Sequence, residues 1–200
     1  MFWCLGKLGG SLLDLPDLPR RLDRLAERLD QPLILITGGG RLADEIRRLD
    51  AVHGLSTLQA HHLALRSMSL TARLIADLWP RATFRDSVAE QTARLAQLHS
   101  PAPSDGSPHA VEVWDVAAIF TETFAQARGK NIHCDWTLTS DSIAAILAQT
   151  WGADRLVLLK SAPSPTPELC EVWSQSGYVD PQFSNWAAGL RLEAVDLRGE

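Results

Sequence analysis

The sequence predicts an α/β fold with a mostly parallel central sheet. Three observations carry that prediction. Short apolar runs alternate with segments of helical periodicity. The run Leu33-Ile34-Leu35-Ile36 is apolar on both faces, as a strand covered on both sides must be. Glycine- or hydroxyl-rich turns follow the apolar runs, where a parallel sheet places its ligands. With 46% hydrophobic and 22% charged residues, 200 residues can bury a full core as one large domain or two small ones.

The elements follow in order. A first strand at Phe2, Trp3, Cys4 and Leu5 delivers Lys7-Leu8-Gly9-Gly10-Ser11. Glycines without side chains bare their N–H groups toward an anion, and a lysine beside them adds a cation; a plain Gly-Gly turn after an edge strand is the other reading of the same residues. Helix one spans Leu18 to Leu29, with Leu18, Leu22, Leu25 and Leu29 on one face and Asp17 as its cap. The strand from Leu33 ends in Thr37 and the triplet Gly38, Gly39, Gly40. Helix two starts near Arg41, its acids Asp44 and Glu45 early and its bases Arg47 and Arg48 late, the order the helix dipole favours.

Helix three runs from about Thr57 to Trp79, opened by a Ser56/Gln59 capping box and stopped by Pro80. Its expected apolar stripe is Leu58, Leu65, Met68, Ala72, Ile75 and Trp79. Residues 100–108 are rich in Pro, Ser, Gly and Asp and read as an exposed loop. Val111 to Val116 reads as a strand, Ser142 to Trp151 as a helix stopped by Gly152, and Leu156 to Leu159 as a further strand.

Composition narrows the partners. A net charge of −5 argues against a nucleic-acid surface. The chain has three lysines, Lys7, Lys130 and Lys160, against sixteen arginines, so a lysine beside a glycine turn carries weight. Cys4, Cys134 and Cys170 show no CxxC spacing and read as reduced thiols, with no metal site expected. No apolar run approaches the roughly 18 residues of a membrane span, and Lys7 and two glycines interrupt any signal-peptide core. A soluble, cytoplasmic protein is expected.

Neither GxxxxGK[ST] nor GxGxxG occurs. Two separate glycine clusters at two strand ends instead suit two phosphoryl groups held face to face, a transfer that needs cations and positioning more than a covalent nucleophile. Asp141 at a helix start reads either as an N-cap or as part of that centre. His61 and His62 read as packing or surface residues, or as ligands. Trp136 reads as core or as the border of a flat ring substrate. The arginines Arg20, Arg21, Arg24, Arg47 and Arg48 read as a solvated face.

Four segments, in order, resemble the amino acid kinase superfamily, the fold of acetylglutamate, carbamate and uridylate kinases. They are Lys7-Leu8-Gly9-Gly10-Ser11, Gly38-Gly39-Gly40, Thr139-Ser140-Asp141-Ser142 leading into Ala144 and Ala145, and Gly152-Ala153-Asp154 leading to Leu158-Leu159-Lys160-Ser161. The short length, the run from Trp136 to Ser142, His61 and the segment Gly177-Tyr178-Val179-Asp180-Pro181-Gln182-Phe183 are similar to one branch: kinases of archaea and methylotrophs that convert aminomethylfuranmethyl phosphate to its diphosphate in methanofuran synthesis.

The resemblance implies a three-layer αβα sandwich, with residues 1–135 binding the acceptor and 136–200 forming a short nucleotide-binding part. It implies a phosphotransferase using ATP and Mg²⁺ on a small phosphorylated substrate, and a homo-oligomer. Lys7 would balance charge on the transferring group and Asp141 would orient it. Gly9, Gly10, Ser11, Ser140 and Lys160 would serve the nucleotide, and Gly38, Gly39, Gly40, His61 and Trp136 the acceptor. Mg²⁺ would be bridged by phosphate oxygens, with no protein metal ligand set. A nucleoside monophosphate is the rival acceptor, and a non-catalytic anion-binding or regulatory protein the rival class. Many members carry another lysine late in the chain. Here none follows Lys160, and Arg191 and Arg198 are the cations available instead.

Overall fold

A computed structural model describes residues 2–29, 31–100, 109–120, 134–166 and 170–199. The loop expected over 101–108, and Lys130, lie outside those residues. Six strands form one parallel sheet: β1 (Cys4–Leu8), β2 (Leu33–Thr37), β3 (Thr83–Arg85), β4 (Val111–Trp114), β5 (Arg155–Lys160) and β6 (Leu192–Asp196), in the order β3-β4-β2-β1-β5-β6. Around it lie α1 (Leu18–Leu29), α2 (Gly40–His53), α3 (Thr57–Leu78), α4 (Val88–Leu98), α5 (Ser140–Trp151), α6 (Cys170–Gln175) and α7 (Phe183–Ala187).

Both faces of the sheet are buried, as the continuous apolar strands require. One face joins Leu5, Ile34, Ile36, Leu156 and Leu158 to α5 and to Leu65 and Met68 of α3. The other joins Cys4, Leu8, Leu33, Leu35, Val157 and Leu159 to the leucine stripe of α1 and to Ala72, Ile75 and Trp79. The result is the three-layer sandwich expected. α5 is buried from Asp141 to Ala148, which explains why its sequence is apolar almost all round.

Most elements stand where the sequence puts them, with informative differences. β1 begins at Cys4 and runs to Leu8, so Lys7 sits inside the strand, while Phe2 is exposed. The capping box of α3 is present: Ser56 Oγ accepts from Gln59 N–H, and Ser56 N–H donates to Gln59 Oε1 at 2.9 Å. Leu58 does not share the buried stripe; it is 60% exposed, with Ala60 taking the inward place one turn into the helix. Val111–Trp114 is two residues shorter than expected, and the helix before Trp151 starts at Ser140. Gly54 and Gly152 end α2 and α5 in the left-handed conformation, at φ 61° and 65°.

β1 is the strand at which chain order reverses, with β2 on one side and β5 on the other. The carboxyl ends of β1, β2 and β5 therefore border the crevice where a doubly wound sheet binds ligands. Among the described residues, no helix is long and apolar enough to cross a membrane.

The packing predicts a contrast between two leucines. Leu158→Ala, at a fully buried position in the sheet, should cost about 2–5 kcal/mol. Leu70→Ala, on the exposed side of α3, should stay within about 0.5 kcal/mol of wild type. Urea denaturation followed by circular dichroism measures both.

Candidate active site

Three strand ends meet at two glycine turns that touch each other. The Gly9 N–H donates to the Leu159 carbonyl at 2.8 Å and the Gly38 N–H to the Leu8 carbonyl at 2.8 Å, so β5, β1 and β2 are laced together just where they end. Beyond them, a Cβ at Gly10 would lie 2.3 Å from Gly40 Cα and 2.4 Å from Gly40 N. Gly40 itself has φ 56°, a conformation that favours glycine. A Cβ at Gly39 would lie 2.1 Å from Ser67 Oγ, and one at Gly38 2.9 Å from Ser140 Oγ. The sequence shows two glycine clusters; the structure makes them one backbone platform, with the Ser140 turn against it. These glycines are required first by chain packing against chain.

Behind the platform lies a buried charge cluster. Lys7 Nζ is 2.8 Å from Asp141 Oδ1, and Lys160 Nζ donates to Asp141 Oδ2 at 2.8 Å. Lys160 also donates to the Tyr178 carbonyl at 2.7 Å, and its ammonium lies 5.1 Å from the Tyr178 ring centroid. Burial alone would raise the Asp141 pKa, but the two lysines outweigh it and hold the carboxyl below its ordinary value. Burial and the neighbouring Lys7 depress Lys160 to about 8. Two lysine side chains thus converge on one buried carboxylate in a low-dielectric place, where an incoming anion is attracted.

The structure removes the cap reading of Asp141. Thr139 is the N-cap residue of α5, and Asp141 lies within the first turn with its carboxylate turned to the lysines. The capping acceptor is Asp180, a residue outside the helix. Asp141 is a counter-ion and not a cap.

In front of the platform is a cavity of about 200 Å³. Gly10, Ser11, Gly38, Gly39, Gly40 and Ser140 form its polar end, with His61, Met68 and Ile143 among its walls. Trp136 borders it: its Nε1 donates to Asp50 Oδ2 at 2.7 Å, and the Arg47 guanidinium lies 4.7 Å from its ring centroid. His61 is half-buried 6.0 Å from the Phe120 ring, and burial followed by the neighbouring His62 lowers its pKa. All five residues expected on the acceptor side thus line one cavity. Ser140, Gly10 and Ser11, expected on the nucleotide side, line the same cavity, so the described cavity does not separate the two sets. Gly9 lies on the β5 side, with its N–H already committed to the sheet.

Three arginines make contacts that the sequence does not show. Arg47 is exposed, as the solvated-face reading has it, and it also lies over Trp136 and lines the cavity. Arg21 of the same group is half-buried and donates to the Leu197 carbonyl at 2.9 Å; Arg20, Arg24 and Arg48 are exposed as expected. Arg198, one of two candidates for the late cation, reaches the first glycine turn and donates to the Ser11 carbonyl at 3.1 Å, whereas Arg191 is exposed. Ser11 Oγ and Ser161 Oγ are 2.9 Å apart, joining the ends of β1 and β5.

Breaking a buried ion pair from one side strands the other partner. Asp141→Asn should therefore cost about 3–5 kcal/mol at pH 7, while α5 keeps its cap through Asp180. Chemical denaturation checks this; a loss below about 1 kcal/mol is what a surface pair would give.

Comparison with known proteins bears on what this geometry does. Residues 3–164 match the amino acid kinase family. Over 73 residues the chain is 32% identical to the [5-(aminomethyl)furan-3-yl]methyl phosphate kinase of Methanocaldococcus jannaschii, a stretch that spans 36% of this chain and about a third (34%) of that relative. The fold is similar to UMP kinase from Bacillus anthracis (TM-score 0.62, 12% identity, 97% of this chain and 86% of that one) and from Ureaplasma parvum (0.58, 11%, 98% and 90%). Uridylate kinase from Archaeoglobus fulgidus is also similar (0.54, 19%, 84% and 69%). With the family match extending from β1 through the end of β5, and a two-lysine cluster behind a glycine platform at the switch point of the sheet, the chain belongs to the amino acid kinase family.

Proposed function

We propose that this chain uses ATP to phosphorylate the phosphate group of a small ring-bearing phosphomonoester, with [5-(aminomethyl)furan-3-yl]methyl phosphate as the acceptor and its diphosphate as the product. The observation that carries this reading is the glycine platform with a cavity on one side and the buried Lys7–Asp141–Lys160 cluster on the other. An acceptor phosphate is already ionised at neutral pH, so an oxygen of it attacks the γ-phosphorus without a base. The bond to the β-phosphate oxygen breaks, and ADP leaves. What the protein must supply is positive charge and alignment, and Lys7 and Lys160 are the cations behind the platform.

The cavity fits the acceptor chemistry. Backbone glycines and the Ser11 and Ser140 hydroxyls suit a phosphate, and Trp136 under Arg47 offers a flat wall for a ring. Asp44 lines the cavity, paired with Arg47 at 2.8 Å, and is the carboxylate toward which an amine on the ring would be attracted. The partial likeness to the M. jannaschii kinase supports the same acceptor. Among the described residues no group of acidic, His or Cys side chains could hold a metal, so Mg²⁺ would arrive on the phosphates of the nucleotide. The likeness to UMP kinases makes UMP the rival acceptor.

ADP release measured across a panel of phosphomonoesters tests this reading. The aminomethylfuran phosphate should give the highest kcat/KM; a higher value with UMP replaces the acceptor, and no turnover with any member removes the kinase reading. With the preferred acceptor, Lys7→Ala should lower kcat about a hundredfold or more. Because Lys160 loses its charge near pH 8, kcat/KM should fall as pH rises past that value.

A further inference from the structure

The first turn of α5 has no side-chain cap of its own. Asp180 supplies one from a segment far along the chain. Its Oδ2 accepts from the Thr139 N–H at 3.1 Å, the Thr139 hydroxyl at 2.8 Å and the Ser142 N–H at 2.9 Å. Its Oδ1 accepts from the Ser142 hydroxyl and from the Gln182 N–H at 3.1 Å. Five donors converge on one carboxylate that is 6% exposed, far more than capping alone demands. Two residues earlier, the Tyr178 carbonyl accepts from Lys160 Nζ. One short segment, 178–182, thus grips both the turn that carries Asp141 and the lysine that Asp141 holds.

We infer that Asp180 is a positioning residue: by capping α5 from a distant segment it leaves the Asp141 carboxylate free for Lys7 and Lys160 and fixes its aim at them. Helix-start aspartates ordinarily turn back on their own backbone. Here that demand is met from outside, and Asp141 is free to face β1 and β5. Asp180 does not itself line the cavity, but the turn it grips does through Thr139 and Ser140, so the Lys160 signal is the readout that reports on the lysine cluster alone. The charged groups facing Lys160 are Lys7 from β1, Asp141 from α5 and Asp180, with the Tyr178 ring beside it.

The chain's three lysines make the test direct. In protein labelled with ¹³C at the lysine ε-carbon, with Lys160→Arg assigning its signal, Lys160 should titrate near 8 in the wild type. Asp180→Asn should lower that midpoint. Where turnover is measured, which rests on the kinase reading, the same variant should lose about tenfold or more in kcat with little change in either KM, the mark of displaced cations. The double variant Thr139→Val, Ser142→Ala keeps the carboxylate and its charge but removes two of its donors, and should lower the Lys160 midpoint as well as slow turnover; an unmoved midpoint in the folded double variant overturns the assignment. A wild-type Lys160 midpoint and wild-type kcat in folded Asp180→Asn, with only Tm lowered, overturn the assignment. A lowered midpoint in the double variant, where the Asp180 charge is still present, in a protein that phosphorylates nothing on the panel removes the kinase reading and leaves the positioning role standing.

Discussion

The buried carboxylate of Asp141, held between Lys7 and Lys160, is the interaction on which the rest of the site depends. Three elements meet in it: β1, α5 and β5. Taking two ammonium groups out of water is costly, and one carboxylate offsets that only in part; the depressed pKa of Lys160 is the residue of the imbalance. A site in that condition is stabilised by a further anion. On the proposed reading, the two lysines whose burial burdens the folded chain are what a phosphoryl group in flight requires.

The cluster could not act alone. On the proposed reading phosphates reach it without side chains in the way, and the contact between Gly10 and Gly40 lets two turns close on each other at backbone distance. The order of the sheet places those turns together, since β1 lies between β2 and β5. The apolar strands that form the core thereby also bring three polar strand ends to one point. Stability and function share the same register: Leu8 pairs with both Thr37 and Leu159, and the site begins one residue later.

Much of this was legible in the sequence, for identifiable reasons. Apolar runs and the Ser56/Gln59 box are local signals, and they located β2, β5 and α3 closely. Leu58 went wrong because a helical stripe read from spacing alone cannot tell the first inward turn from the last outward one. β3 has three residues, too few to show a period, and β6, α6 and α7 are short elements whose placement comes from what they pack against. At the site, Lys7, Asp141 and Lys160 stood out by type and by resemblance, but their mutual pairing comes from the parallel register and the start of α5. The double reading of Asp141 could be resolved only by finding another acceptor at the helix start, and Asp180 lies 38 residues from Ser142. Arg47 was unreadable for a similar reason: nothing local says that a charged helix face will lie over Trp136.

The central claim is that the two lysines of the buried cluster meet the nucleotide phosphates. Titrating ε-¹³C-lysine protein with a non-hydrolysable ATP analogue and Mg²⁺ tests it most directly. The account predicts that the Lys7 and Lys160 signals move together along one saturation curve and that the Lys160 titration midpoint rises above about 8 in the complex. Saturable binding of the analogue with both signals and the midpoint unmoved would place the nucleotide elsewhere and contradict the account.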